Sequence, residues 1–136
     1  MSDLQGWIYD EIRDTKPCIY AADISEGQPL AVSDATTSPM TVAVAGAGDV
    51  PVGVAPRTLD ILEDGARGQM VFNGQAPILL AAAVTDATLP VMTAAAGTAT
   101  PVTANNDVIL GMPQTTKVIS TIVLVDLKLM GSYYGA

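Results

Sequence analysis

AGDVPVGVAPRT, residues 47–58, is echoed by NNDVILGMPQTT, residues 105–116, and this pair of stretches decides how the chain is read. Asp49, Val50 and Gly53 match Asp107, Val108 and Gly111 at a constant spacing of 58 residues. Upstream of each lies a short apolar run after a proline, Pro29-Leu30-Ala31-Val32 in one case and Pro90-Val91-Met92 in the other. Downstream of each lies a β-rich run, GQMVFNGQAPILL (68–80) and VISTIVLVDLKLM (118–130), with LDILEDGA (59–66) inserted before the first. Short Val-, Ile- and Thr-rich segments at intervals of roughly ten residues, punctuated by Gly, Pro and small polar residues, predict an all-β fold. The expectation is a compact small barrel or sandwich with an internally duplicated strand set, its related halves spanning about 28–82 and 88–130.

Strands are predicted at Cys18–Ala22, Pro29–Ser33, Thr41–Ala45, Val50–Val54, Gln69–Phe72, Ala76–Ala82, Leu89–Met92, Val108–Met112 and Val118–Leu129. Asn73-Gly74 reads either as a hairpin turn between the fifth and sixth of these or as a bulge in one long strand. TLDILEDG reads as a single helical turn ended at Gly65 or as a plain turn. The Ala/Thr/Gly-rich stretches 35–48 and 93–106 occupy corresponding places in the two halves and read as loops or weakly paired strands. Gly53 and Gly111 are expected at equivalent backbone positions where a side chain is excluded or φ is positive.

Residues 1–22 differ in composition from the rest of the chain and read as an N-terminal arm, extended or briefly helical, ahead of a single β domain at 23–136. The arm holds the only tryptophan, Trp7, with Tyr9 and Tyr20 among Ile8, Ile12 and Ile19. These six side chains are the candidate partner-binding residues, because aromatic and aliphatic anchors are favoured at interfaces.

Composition narrows the function. The chain has 136 residues, one domain by length, with 49% hydrophobic but only 4% aromatic residues. Charged residues are 15%, against about 25% in ordinary globular domains. So few charges leave apolar surface that another protein is expected to cover. Fourteen acidic and six basic residues give a net charge of −8 and no basic cluster, which argues against nucleic acid and anionic membrane as partners. The longest apolar run is too short to span a bilayer, and no basic leader with an apolar stretch opens the chain, so synthesis in a cytoplasm is expected.

Chemistry is scarce. There is no histidine, and the single cysteine, Cys18, excludes an internal disulfide and a multi-thiolate metal site. Gly46-Ala47-Gly48 lacks the third glycine of a dinucleotide fingerprint, and no Gly-Lys-Ser/Thr phosphate loop occurs. Asp60, Glu63 and Asp64 form an acidic cluster that reads as an exposed turn in preference to a calcium or magnesium site. No catalytic residue, cofactor or metal is assigned.

The order GQPLAVSD (27–34), DVPVGVA (49–55), GQMVFNGQAPILL, TLPVMTAAAGTATPVTANNDVILGMPQTT (88–116) and STIVLVDLKL (120–129) resembles capsid decoration (cement) proteins of tailed bacteriophages. The resemblance covers roughly residues 15–130 and lies in the order of elements. It implies a β domain that trimerises at threefold or quasi-threefold positions on the outside of the virion, cementing neighbouring subunits of the major capsid protein without catalysis. A tail or fibre module of a virion is the alternative. A biotinyl- or lipoyl-like carrier domain modified at Lys128 is a more distant one, since the lysine of such domains lies between the two halves and Lys128 lies at the end of the second.

Overall fold

The computed structural model describes residues 13–84, 88–94, 97–102, 109–114, 122–127 and 129. Among them are nine strands: β1 (Arg13–Tyr20), β2 (Pro29–Asp34), β3 (Thr41–Val44), β4 (Gly53–Val54), β5 (Arg67–Leu79), β6 (Val91–Ala94), β7 (Thr98–Pro101), β8 (Ile109–Pro113) and β9 (Ile122–Leu127). One helical turn, α1 (Ile61–Asp64), precedes β5. Asp60 caps it by accepting a hydrogen bond from the Leu62 amide at 3.0 Å, and Gly65 ends it at φ 81°. The all-β expectation holds.

The strands form one sheet in the order β1-β3-β2-β4-β5-β9-β8-β6-β7, with β1 also pairing to β5. That extra pairing closes the first five strands on themselves. A parallel bridge from Leu80, just beyond β5, to Ala99 on β7 closes the second round in the same way. The molecule is therefore two small closed rounds that share β5. Each encloses its own core: Cys18, Tyr20, Ile24, Leu30, Val42, Ala55, Leu59 and Met70 in the first, and Ala76, Ile78, Leu80, Val91, Ala99, Leu110, Val123 and Val125 among others in the second. Side chains this small suit the interior of a narrow barrel, in keeping with the aliphatic, aromatic-poor composition.

The duplication is visible in the registers. Pro17 pairs with Gln69 and Ile19 with Arg67 across β1 and β5; Pro77 pairs with Leu124 and Leu79 with Ile122 across β5 and β9. Tyr20 faces Val42 in parallel, as Leu80 faces Ala99. Leu30 pairs with Val44 and Gly53, as Val91 pairs with Pro101 and Gly111. Even single loop bonds repeat: the Ala45 amide donates to Pro29 O at 2.8 Å and the Val102 amide to Pro90 O at 3.1 Å.

These registers correct two boundaries. The arm does not extend to residue 22, because Arg13–Tyr20 is a body strand that closes the first round. The repeats are not 28–82 and 88–130 either: the first begins at β1, and the second begins inside β5, whose latter half is the counterpart of β1. Asn73-Gly74 is the point of handover within one unbroken strand, with Gly74 at φ 87°. The match of residues 68–80 to 118–130 therefore fails beyond that handover, and before it the registers equate Arg67 and Gln69 with Ile122 and Leu124, since local β propensity is alike in strands that play different roles. The Ala/Thr/Gly stretch 93–106 contains β7, so of the two readings, loop or weakly paired strand, the strand holds at Thr98–Pro101.

Candidate partner-binding surface

β1 lies beside the first half of β5 with Thr15 opposite Val71 and Asp14 opposite Asn73, so Phe72 is passed over as a bulged residue. The bulge turns Phe72 out of regular packing: the only phenylalanine of the chain is 38% exposed. The Lys16 ammonium lies 5.3 Å from its ring centroid, a cation–π contact at one end of the first round. Beside it the Asn73 amide donates to Asp14 Oδ2 at 3.1 Å. An aromatic ring half open to water under a lysine ammonium is a surface that a partner can desolvate with gain. Val32, Val50 and Leu62 are the other large apolar residues exposed among the described ones.

Of the six candidate partner-binding residues, Trp7, Ile8, Tyr9 and Ile12 lie outside the described residues. Ile19 is half-buried on the outer face of β1, paired with Arg67 and Thr41. Tyr20 is a correction: it is 3% exposed, in the first core, with its hydroxyl donating to Gln69 O. Strand alternation turns Cys18 and Tyr20 inward and Ile19 outward, so proximity in sequence to Trp7 and Tyr9 carried no information about where Tyr20 points. Burial pushes the Tyr20 phenol well above its ordinary range, with the neighbouring Cys18 adding to the shift. Burial likewise raises the Cys18 thiol, which disfavours the nucleophilic thiolate.

Gly53 and Gly111 occupy equivalent places, each the register partner of the residue that follows a proline, Leu30 after Pro29 and Val91 after Pro90. Both exclude a side chain, though against different neighbours. A Cβ on Gly53 would sit 2.6 Å from Met70 Sδ, whereas one on Gly111 would overlap the backbone carbonyl oxygen of Asp126.

Two members of the acidic cluster, Asp60 and Asp64, are engaged with their own helix. Asp60 and Asp64 accept backbone hydrogen bonds from Leu62 and Asp60 at 3.0 and 3.1 Å, and Asp23 accepts one from Ile61 at 3.0 Å. Carboxylates at a helix start satisfy amides that have no partner within the helix. A shallow cleft lies nearby, lined by Tyr20, Pro56, Arg57, Leu59, Gly68 and Gln69. Gly68 makes room for the Tyr20 ring, since a Cβ there would lie 2.8 Å from it. Lys128 lies outside the described residues. Among the described residues no helix is long and apolar enough to cross a membrane.

Sequence reading passed over Phe72 and Lys16. Aligning KPCIY (16–20) with APILL (76–80) brings Lys16 opposite Ala76 and shows one copy carrying a charge where the other is buried alanine. That contrast was the available signal.

No family model matches the chain, and no curated protein is similar to it in sequence. Among solved structures, the fold is similar to the N base of the head fiber gp8.5 of bacteriophage phi29, with a TM-score of 0.67 and 14% sequence identity over 90% of this chain and 100% of that one.

Proposed function

We propose that this chain is a structural protein of a bacteriophage virion that sits on the outside of the head as an oligomer, most simply a trimer, and holds neighbouring major capsid subunits together by binding. The observation that carries the reading is the fold: two β rounds sharing one strand, similar over 90% of the chain to the base of a phage head fiber. The order of sequence elements, which resembles capsid decoration proteins, supports it independently. A net charge of −8 suits an exterior position, since packaged DNA repels an acidic protein from the lumen. The action is thermodynamic and not enzymatic: a protein that binds only the assembled lattice stabilises that lattice by mass action, and linked copies add avidity. No cofactor, nucleic acid or membrane takes part, and the protein joins the head after synthesis in the host cytoplasm.

A second reading, the base of a projecting head appendage, is favoured by the same fold match. Electron microscopy of purified protein mixed with heads of the phage that carries this sequence tests both. Density repeated over threefold positions, flush with the shell, is the expected result. Density at the foot of a projecting fibre supports the second reading, and heads that stay bare overturn both.

A further inference from the structure

The internal duplication is a template for how one copy of this fold seats on another. Val54 and Val71 are register partners on β4 and β5 and are completely buried. Their chain neighbours Gly53 and Met70 meet inside the first round, so alternation puts the two valines on its outer face. There they belong to the core of the second round, with Ala76 and Ile78. The back of the β4–β5 pair in the first copy thus caps the second copy's barrel.

Each half of that contact has a counterpart whose described side chains stay partly open to water. On β8 and β9, Met112 and Asp126 are register partners one step beyond Gly111, as Val54 and Val71 are one step beyond Gly53. Met112 is half-buried and Asp126 exposed. On the receiving side, Ala76 pairs with Val125 as Lys16 pairs with Met70, so Lys16 stands where the capped barrel has its buried alanine. That end of the first round is the one where Lys16 covers the half-open Phe72 ring. The two partly open faces are complementary: a carboxylate and a thioether on one, an ammonium and an aromatic ring on the other. Sulfur–aromatic and Asp–Lys contacts both gain strength when water is displaced from around them.

We propose that the Met112–Asp126 face of one molecule seats on the Lys16–Phe72 end of a second copy, repeating between molecules the contact that Val54 and Val71 make within one. The contact joins two different faces, so it is heterologous and closes into a ring when the rotation per molecule divides a full turn. It deepens the oligomeric part of the proposed function by giving the seam its residues, and it rests on that part alone.

Charge reversal tests it on the full chain by sedimentation velocity at micromolar concentration. Lys16→Asp and Asp126→Lys, each checked for a native circular-dichroism spectrum and melting curve, should each weaken self-association at least tenfold. The double variant Lys16→Asp/Asp126→Lys should restore it, because the seam then carries the same pair reversed. Unchanged association in the single variants, failure of the double variant to recover, or a monomeric parent protein overturns the seam. Binding to phage heads is scored separately: association with this pattern but no head binding overturns the virion reading and leaves the seam standing.

Discussion

Gly53 and Gly111 show how one residue type serves one register position under unequal constraint. The space beside Gly53 is taken by the flexible side chain of Met70, which can swing aside; the space beside Gly111 is taken by the fixed carbonyl of Asp126. Gly53→Ala should therefore cost about 1 kcal/mol and Gly111→Ala about 3 kcal/mol or more, as overpacking against a methionine is relieved more cheaply than against backbone. Urea unfolding of the two variants reads the difference, and equal costs would sink the argument. Tyr20 gives a second prediction. Its folded-state pKa is raised above an ordinary value near 10 because the buried phenolate is desolvated. Stability from the neutral phenol is complete below pH 10 and falls as pH climbs from there, since the unfolded chain loses the proton first. Denaturation midpoints of the parent protein and of Tyr20→Phe should run parallel up to about pH 10, above which the parent should drop more steeply, because Tyr20→Phe has no proton to lose at that site.

β5 is the element on which the architecture turns. Its first half completes one barrel and its second half opens the next, so the two cores share a covalent strand and a common hydrogen-bond ladder. β1 does for the first round what the latter half of β5 does for the second, and it supplies the buried Cys18 and Tyr20. Removing Met1–Ile12 should leave far-UV circular dichroism and cooperative unfolding intact. Removing Met1–Tyr20 should open the first round, seen as loss of amide-exchange protection at Leu30 and Val42 while protection at Val123 and Val125 persists longer. Equal loss in both halves would mean that the rounds fold as a single unit with no local opening.

For the whole molecule the prediction concerns attachment. With β1 in the body, the arm available to a partner contracts to the residues before Arg13, and it still contains Trp7, Ile8, Tyr9 and Ile12. Burial of one such side chain at a contact contributes about 1.5–3 kcal/mol, and linked copies multiply the effect. Deleting Met1–Ile12 should reduce retention on phage heads far more than it changes the melting temperature, with Trp7→Ala intermediate. Retention equal to that of the parent chain assigns attachment to the body, where Val32, Val50 and Leu62 are exposed.

The amino-acid sequence by itself determined the fold class and the existence of two related halves. Val/Ile/Thr runs broken by Gly and Pro favour extended local structure, and a repeated Asp-Val-x-x-Gly is a pattern of identities that needs no coordinates to be seen. Where one repeat ends was decided by tertiary structure, because strand propensity is the same for a strand that closes a barrel and one that opens the next. The positions of Ile19 and Tyr20 were decided there as well: adjacent residues on a strand face opposite sides, and only the partners of β1 say which side is core. The Lys16–Phe72 end belongs to the same class. A bulge displaced Phe72 and the duplication set Lys16 at the register position of the buried Ala76, and both are facts of pairing between distant strands, not of the residues taken in order.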